Sequence, residues 1–310
     1  MPTPNHRPAT RALVCALVLI AAACASSGKT AAPTTPPVSR DYFATHVHLD
    51  LVDPSRAAVD PIGVRSTPTR ALPTEVYLPA SHGPVPLIVF AHGYDGDPSK
   101  FTGLFQHWSD AGFAVVAPRF PITSTGASAG SIARSLDYSQ QPADLTFVLD
   151  YVLRSKWKPQ IDANRIGAAG LSLGGATIWG YIGNSCCRDP RIKAAIVMDG
   201  IQFEFTEGKI QPNRIPLLMF HADHDYSLPF ARARTAYANA APPKYFVTIF
   251  GAVHAEPYEN TPTASDAMVM RTTTLFWRAY LLRQKIAPRA ILAAATAPGI
   301  STAEYRLPKY

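Results

Sequence analysis

The stretch Arg165-Ile-Gly-Ala-Ala-Gly-Leu-Ser-Leu-Gly-Gly175 decides how this chain is read. Within it, Gly170-Leu171-Ser172-Leu173-Gly174 matches G-x-S-x-G. In that pattern a strand turns sharply into a helix, and the serine sits at the apex with its Oγ exposed. Glycine is needed on both sides because a Cβ at either position would collide with the tight turn. Five-residue patterns of small residues also arise by chance, so the flanks carry the argument. Arg165 to Leu171 reads as a short buried strand after the polar Asp162-Ala-Asn164. Leu173 to Ile182 reads as a helix of small residues that can pack close to a sheet.

Strands and helices alternate outward from this turn. Thr45 to Val52 and Ala71 to Leu78 alternate well enough for two strands, the second closed by Pro79. Pro86 to Ala91 is a continuous apolar run of the kind buried in a parallel sheet. A helix over Phe101 to Ala111 and a strand over Phe113 to Ala117 follow. Residues 118–141 are rich in Gly, Ser and Pro and long for a plain connection, which predicts a rim or lid. Leu145, Val148, Leu149 and Val152 have helical spacing. Beyond the G-x-S-x-G turn, or nucleophile elbow, come a strand Ile192–Met198, an irregular stretch Asp199–Ile215 and a strand Pro216–Phe220. Then follow a helix Pro229–Ala240, a strand Tyr245–Phe250 and a long helix near Ala264–Gln284. This alternation predicts an α/β protein: a mostly parallel central sheet with helices on both faces and antiparallel strands at its N-terminal side.

A serine hydroxyl is a poor nucleophile until a base takes its proton, and an acid must hold that base in the right tautomer. On this architecture the order is Ser, then Asp or Glu, then His. The stretch Leu217-Leu-Met-Phe-His-Ala-Asp-His-Asp-Tyr-Ser-Leu-Pro229 supplies two candidate acids, Asp223 and Asp225. His254, in Gly251-Ala-Val-His254 directly after a strand, is the candidate base. Two backbone donors are needed for the developing oxyanion. The Leu173 N–H supplies one, and the Tyr94 N–H, in His92-Gly93-Tyr94 after the strand Pro86–Ala91, supplies the other. The Tyr94 ring could also line an acyl pocket.

Metal readings compete at two places. His221, Asp223, His224 and Asp225 put four potential ligands in five residues, on the loop where the acid is required. His46 and His48 share one strand face but have no third ligand nearby, which favours a polar strand face. No nicotinamide, flavin or metal motif implies a cofactor. The adjacent Cys186-Cys187 offers no metal-ligand spacing, and two free thiols are expected there over a strained vicinal disulfide.

Together these segments, from about Thr45 to Gln284, resemble the α/β-hydrolase superfamily. Within it the chain is similar to the branch holding bacterial polyester (cutinase-like) hydrolases, platelet-activating-factor acetylhydrolase-like enzymes and dienelactone-hydrolase-like proteins. The branch resemblance is carried by Asp53-Pro-Ser-Arg56, Arg70-Ala-Leu-Pro-Thr-Glu-Val-Tyr-Leu-Pro79, Pro86-Leu-Ile-Val-Phe-Ala-His-Gly-Tyr94 and Pro142-Ala-Asp-Leu-Thr-Phe-Val-Leu-Asp150, with the elbow. The step from Asp225 to Pro229, which would open the next helix, resembles the family's acid loop and favours Asp225 over Asp223. The chain departs from dienelactone hydrolases in carrying Ser172 where they use Cys. It departs from polyester hydrolases in carrying Leu171 and Leu173 around the nucleophile. The resemblance implies a serine esterase or lipase acting on small-molecule or lipid esters. The alternatives are an acyltransferase using the same acyl-serine and a non-catalytic lipoprotein that binds lipid or cell-wall material.

The ends of the chain complete the plan. Arg7 and Arg11 precede an apolar run, Ala12 to Ala23, too short for a comfortable membrane span. The run ends Ile20-Ala-Ala-Ala-Cys24 and resembles a bacterial lipoprotein signal, so residues 1–23 are expected to be a signal peptide with Cys24 as the lipidated, membrane-attached first residue; plain secretion is the alternative. Residues 24–40 read as a Pro/Thr/Ser-rich tether, 41–287 as the catalytic domain and 288–310 as a weakly patterned tail. At 310 residues and 47% hydrophobic, the chain can bury a substantial core without metal or disulfide support. Its net charge of +7 is scattered without a Lys/Arg run, which argues against a nucleic-acid partner.

Overall fold

A computed structural model describes Tyr42 and residues 44–205, 207–260 and 262–308. The expected signal peptide, tether and lipidated Cys24 lie outside the described residues. Among those residues, no helix is long and apolar enough to cross a membrane.

Among the described residues, nine strands form one sheet: β1 (Thr45–Asp53), β2 (Arg70–Leu78), β3 (Val85–Ala91), β4 (Ala114–Pro118), β5 (Ile161–Leu171), β6 (Ile192–Met198), β7 (Leu217–Ala222), β8 (Lys244–Ile249) and β9 (Ser301–Arg306). Their spatial order is β1-β2-β4-β3-β5-β6-β7-β8-β9. The strands from β4 through β3 and β5 to β8 run parallel, and β1, β2 and β9 add antiparallel edges. This is the α/β-hydrolase fold. Every residue of β3, β4 and β7 is buried, as a strand covered on both faces must be.

Among the described residues, six α-helices cover the sheet: α1 (Thr102–Asp110), α2 (Gln141–Arg154), α3 (Leu173–Gly183), α4 (Phe230–Asn239), α5 (Asp266–Tyr280) and α6 (Pro288–Ala295). On one face Leu145, Val148 and Leu149 of α2, Ile178 and Tyr181 of α3, and Ala233 and Tyr237 of α4 join the core. On the other, Phe105 and Trp108 of α1 pack with Phe276 and Trp277 of α5 and Ile291 of α6. The Trp108 and Trp277 rings meet edge to face at 5.9 Å.

Two expectations need correction. The segment after Pro288 is not a weakly patterned tail: it forms α6 and β9, and β9 pairs with β8 along its length, from Lys244 opposite Arg306 to Ile249 opposite Ser301. Only Ser301 on β9 is fully buried, so its sequence carries little of the alternation that marks a half-buried strand. Second, Cys186 and Cys187 are joined in a disulfide where free thiols were expected. The 118–141 connection, expected as a rim or lid, is held down by buried ion pairs. Arg134 pairs with Asp60 at 2.8 Å, and Asp137 accepts from both Nη atoms of the fully buried Arg70. Arg70 also bonds Asp144 on α2, which ties the rim, β2 and α2 into one buried ionic cluster.

Candidate active site

The functional side chains stand at the C-terminal ends of the parallel strands, the edge where open α/β sheets bind ligands. Ser172 joins β5 to α3 with φ 56° and ψ −119°, a strained conformation for a residue with a Cβ. The turn closes only because Gly170 lacks a side chain: a Cβ there would lie 2.5 Å from the Gly174 carbonyl oxygen. The Ser172 N–H donates to the Met198 carbonyl, which ties the apex to β6.

From Ser172 a line of short hydrogen bonds leads to the acid loop. His254 Nε2 lies 2.7 Å from Ser172 Oγ, and His254 Nδ1 lies 2.6 Å from Asp225 Oδ2. Asp225 Oδ1 accepts from the N–H groups of Ser227 and Leu228 at 2.8 Å each. Burial by itself would raise the Asp225 pKa, but the His254 bond and the backbone donors outweigh it and hold the carboxyl below its usual range. The ionised Asp225 therefore accepts from His254 Nδ1–H, which leaves Nε2 to accept from the serine hydroxyl. At His254 burial favours the neutral ring, yet the Asp225 bond and the Asp199 and Asp225 charges prevail and raise its pKa above 6.5.

Tyr94 and Leu173 come to the same place. A Cβ on Gly93 would sit 3.1 Å from Ser172 Cβ, so the Gly93–Tyr94 backbone passes directly beside the serine. Among the described residues, neither the Tyr94 N–H nor the Leu173 N–H has a hydrogen-bond partner. The Tyr94 hydroxyl reaches the Ser128 and Ser131 carbonyls at 2.8 and 2.7 Å, tying the ring to the rim.

Two further residues were missed in the sequence. His92 is completely buried. Its Nδ1–H donates to the Gly93 carbonyl at 2.7 Å, while Nε2 accepts the Phe120 N–H at 3.0 Å. Burial pushes its pKa down to about 4, so the ring stays neutral in this tautomer. The Gly96 N–H also donates to the Gly93 carbonyl, at 3.0 Å. A trans peptide points its C=O and N–H to opposite sides, so anchoring the Gly93 oxygen turns the Tyr94 N–H the other way. The sequence shows His-Gly after a strand, a good turn, but not this bond.

Asp199, at the end of β6 with φ 40°, is the second. Its Oδ1 accepts from the Ala222 N–H (2.7 Å) and the Tyr258 hydroxyl (3.1 Å), and its Oδ2 from the Ala255 N–H (3.3 Å). It therefore links the strand before the acid loop to the loop of the base. Complete burial raises its pKa. Its place at a parallel strand end was the only available signal.

The acid-loop metal cluster does not assemble. His221 is buried and donates through Nε2 to the Leu228 carbonyl, and Asp223 Oδ1 accepts the Gly251 N–H. Among the described residues, the group whose ligand atoms converge is Asp199, Asp225 and His254. Both His254 nitrogens are engaged there, and each carboxylate already accepts at both oxygens. The set fits a hydrogen-bonded relay better than a cation. His46 and His48 both bond Glu75 on the neighbouring strand, at 2.7 and 2.6 Å, and form a polar strand face.

Residues 48–215, just over half of the chain, match the chlorophyllase family. The chain belongs to that family. The match spans the Tyr94 loop, Ser172 and Asp199 and stops before Asp225 and His254. Among solved structures this chlorophyllase-family protein is similar to a ferulic acid esterase from Streptomyces cinnamoneus, with a TM-score of 0.63 and 21% identity over 84% of this chain and 94% of that one. At that identity the likeness is one of fold. No curated protein matches the chain. Family and fold together support a hydrolase of the esterase type.

Proposed function

We propose that this chlorophyllase-family protein is a serine esterase that cleaves carboxylic esters through an acyl-Ser172 intermediate. The observation that carries the reading is the unbroken Asp225–His254–Ser172 line, with contacts of 2.6 and 2.7 Å. Ser172 Oγ attacks the ester carbonyl carbon as its proton passes to His254 Nε2. The carbonyl oxygen gains negative charge, and the unpartnered N–H groups of Tyr94 and Leu173 receive it. The imidazolium, held by ionised Asp225, returns the proton to the departing alcohol. Water, deprotonated by the same ring, then attacks the acyl carbon, which releases the acid and restores Ser172.

Turnover of p-nitrophenyl butyrate, measured beside Ser172→Ala, tests the reading. Hydrolysis by the wild type that is lost in the variant supports it. Hydrolysis that survives in a folded Ser172→Ala moves the nucleophile elsewhere. Export and attachment through Cys24 are part of the same proposal, on the sequence of residues 7–24. Metabolic labelling with a fatty-acid analogue, absent in Cys24→Ala, tests that part by itself.

A further inference from the structure

A second polar site lies at the start of β8, about 17 Å along the strand, at about 3.3 Å per residue, from Ile249, beyond which the chain runs on to His254. A cavity of about 510 Å³ opens there between the end of α4 and the β8–β9 pair. Arg234, Tyr237, Lys244, Glu304 and Arg306 line it. Three cations thus face one carboxylate. Glu304 is already taken by Arg234, which also lies over the Phe246 ring.

Lys244 and Arg306 are directly opposite each other in the antiparallel register of β8 and β9. Like charges in that relationship destabilise a sheet. Among the described residues, neither has an ion-pair partner. Lys244 is nearly buried, donates to the Tyr237 and Ala238 carbonyls at 2.6 and 2.9 Å, and holds its ammonium over the Tyr237 ring at 4.7 Å. Burial, with Arg306 opposite, pulls its pKa below the usual lysine range. Tyr237 makes an independent case. It is 4% exposed, and its hydroxyl is fully buried with no hydrogen-bond partner. A buried hydroxyl without a partner is costly to fold, so it calls for an explanation.

The unmet groups are the Arg306 guanidinium and the Tyr237 hydroxyl, both of them donors, beside the Lys244 ammonium, which has no anionic partner. They call for a ligand rich in acceptor oxygens that carries negative charge between Lys244 and Arg306. We infer that this cavity binds a phosphate group, carried either by a soluble phosphate or by an anionic lipid headgroup. Guanidinium and ammonium donors converging on one anion are the usual phosphate-binding chemistry. The site does not depend on the esterase reading, because none of its residues belongs to the Ser172 relay.

Thermal unfolding of the full chain, followed with and without millimolar inorganic phosphate at constant ionic strength set by chloride, tests the inference. Ligand that binds only the folded state raises Tm. The expected result is a rise of a few degrees for wild type, a smaller rise for Tyr237→Phe and none for Arg306→Gln, with p-nitrophenyl ester turnover equal in all three. Co-sedimentation with phosphatidylglycerol but not phosphatidylcholine vesicles, lost in Arg306→Gln, would identify the source as a lipid headgroup. No shift and no selective vesicle binding by wild type would overturn the inference, as would equal responses from all three proteins.

Discussion

Asp225 Oδ2 lies 2.6 Å from His254 Nδ1, whereas Asp223, two residues earlier, turns its carboxylate to the Gly251 N–H at 2.7 Å. The two acids of one loop are thus divided between the base and the backbone that carries it. Asp225→Asn is expected to lower kcat about 10⁴-fold, the scale seen when such an acid loses control of the histidine tautomer. Asp223→Asn keeps an acceptor for Gly251 and is expected to cost far less. Steady-state kinetics of the two variants, side by side, check this; reversed effects would move the acid to Asp223.

Ser172→Ala removes one oxygen and no core volume, so folding should be unchanged while ester turnover disappears. A fluorophosphonate probe should label wild type and leave the variant unlabelled. Circular dichroism of both proteins confirms that the comparison is between folded molecules.

His254 must be neutral to accept the Ser172 proton, and its pKa is raised. Protonation below that pKa removes the base, so kcat/KM should fall on the acid side with a midpoint above the ordinary histidine value of about 6.5. Asp199 contributes to the upward shift. Asp199→Asn should therefore move the midpoint down while preserving an acceptor for the Ala222 N–H. A pH–rate profile of the two proteins reads this directly, and an unmoved midpoint would deny Asp199 any electrostatic part.

His92→Phe removes the donor that holds the Gly93 carbonyl while keeping an aromatic ring in the buried site. The Tyr94 N–H then loses one of the two bonds that set its peptide plane. A fall in kcat of about 10²-fold, at the low end of what loss of an oxyanion donor costs, is expected with little change in KM. His92→Asn, which can still donate to the carbonyl, should recover part of the rate. Equal losses in both variants would reduce His92 to a packing residue.

Arg70→Met strands Asp137 and Asp144, both buried, without their shared cation. Removing one partner from a buried ionic cluster costs about 3–5 kcal/mol. Urea unfolding should show a loss on that scale. A loss under about 1 kcal/mol would mean that Arg56, which bonds Asp144 at 2.6 Å, carries the cluster alone.

Much of this architecture was legible because it is local. The buried runs of β3, β4 and β6 and the G-x-S-x-G turn announce themselves within a few residues, since a strand covered on both faces has no polar period and a tight turn excludes a Cβ. Ser172, His254 and an acid from the pair Asp223 and Asp225 are legible as candidates from their places after strands and from their order along the chain. Strand β9 was illegible for the opposite reason. It is an edge strand with one fully buried residue, and its register is imposed by β8 rather than by its own pattern.

By itself, the amino-acid sequence determined the alternation of strands and helices, the strained serine and the residue types available for acid, base and oxyanion donors. These depend on side-chain period and backbone sterics, which act between near neighbours. Only the tertiary structure shows which of Asp223 and Asp225 bonds His254, because both sit on one short loop and the histidine lies 29 residues beyond Asp225. It alone brought Asp199 against the base loop, set the buried His92 ring on the Gly93 carbonyl, and placed Lys244 opposite Arg306 across 62 residues of chain. Hydrogen bonds and buried charges answer to distance and burial, and neither is a property of the chain until it has folded.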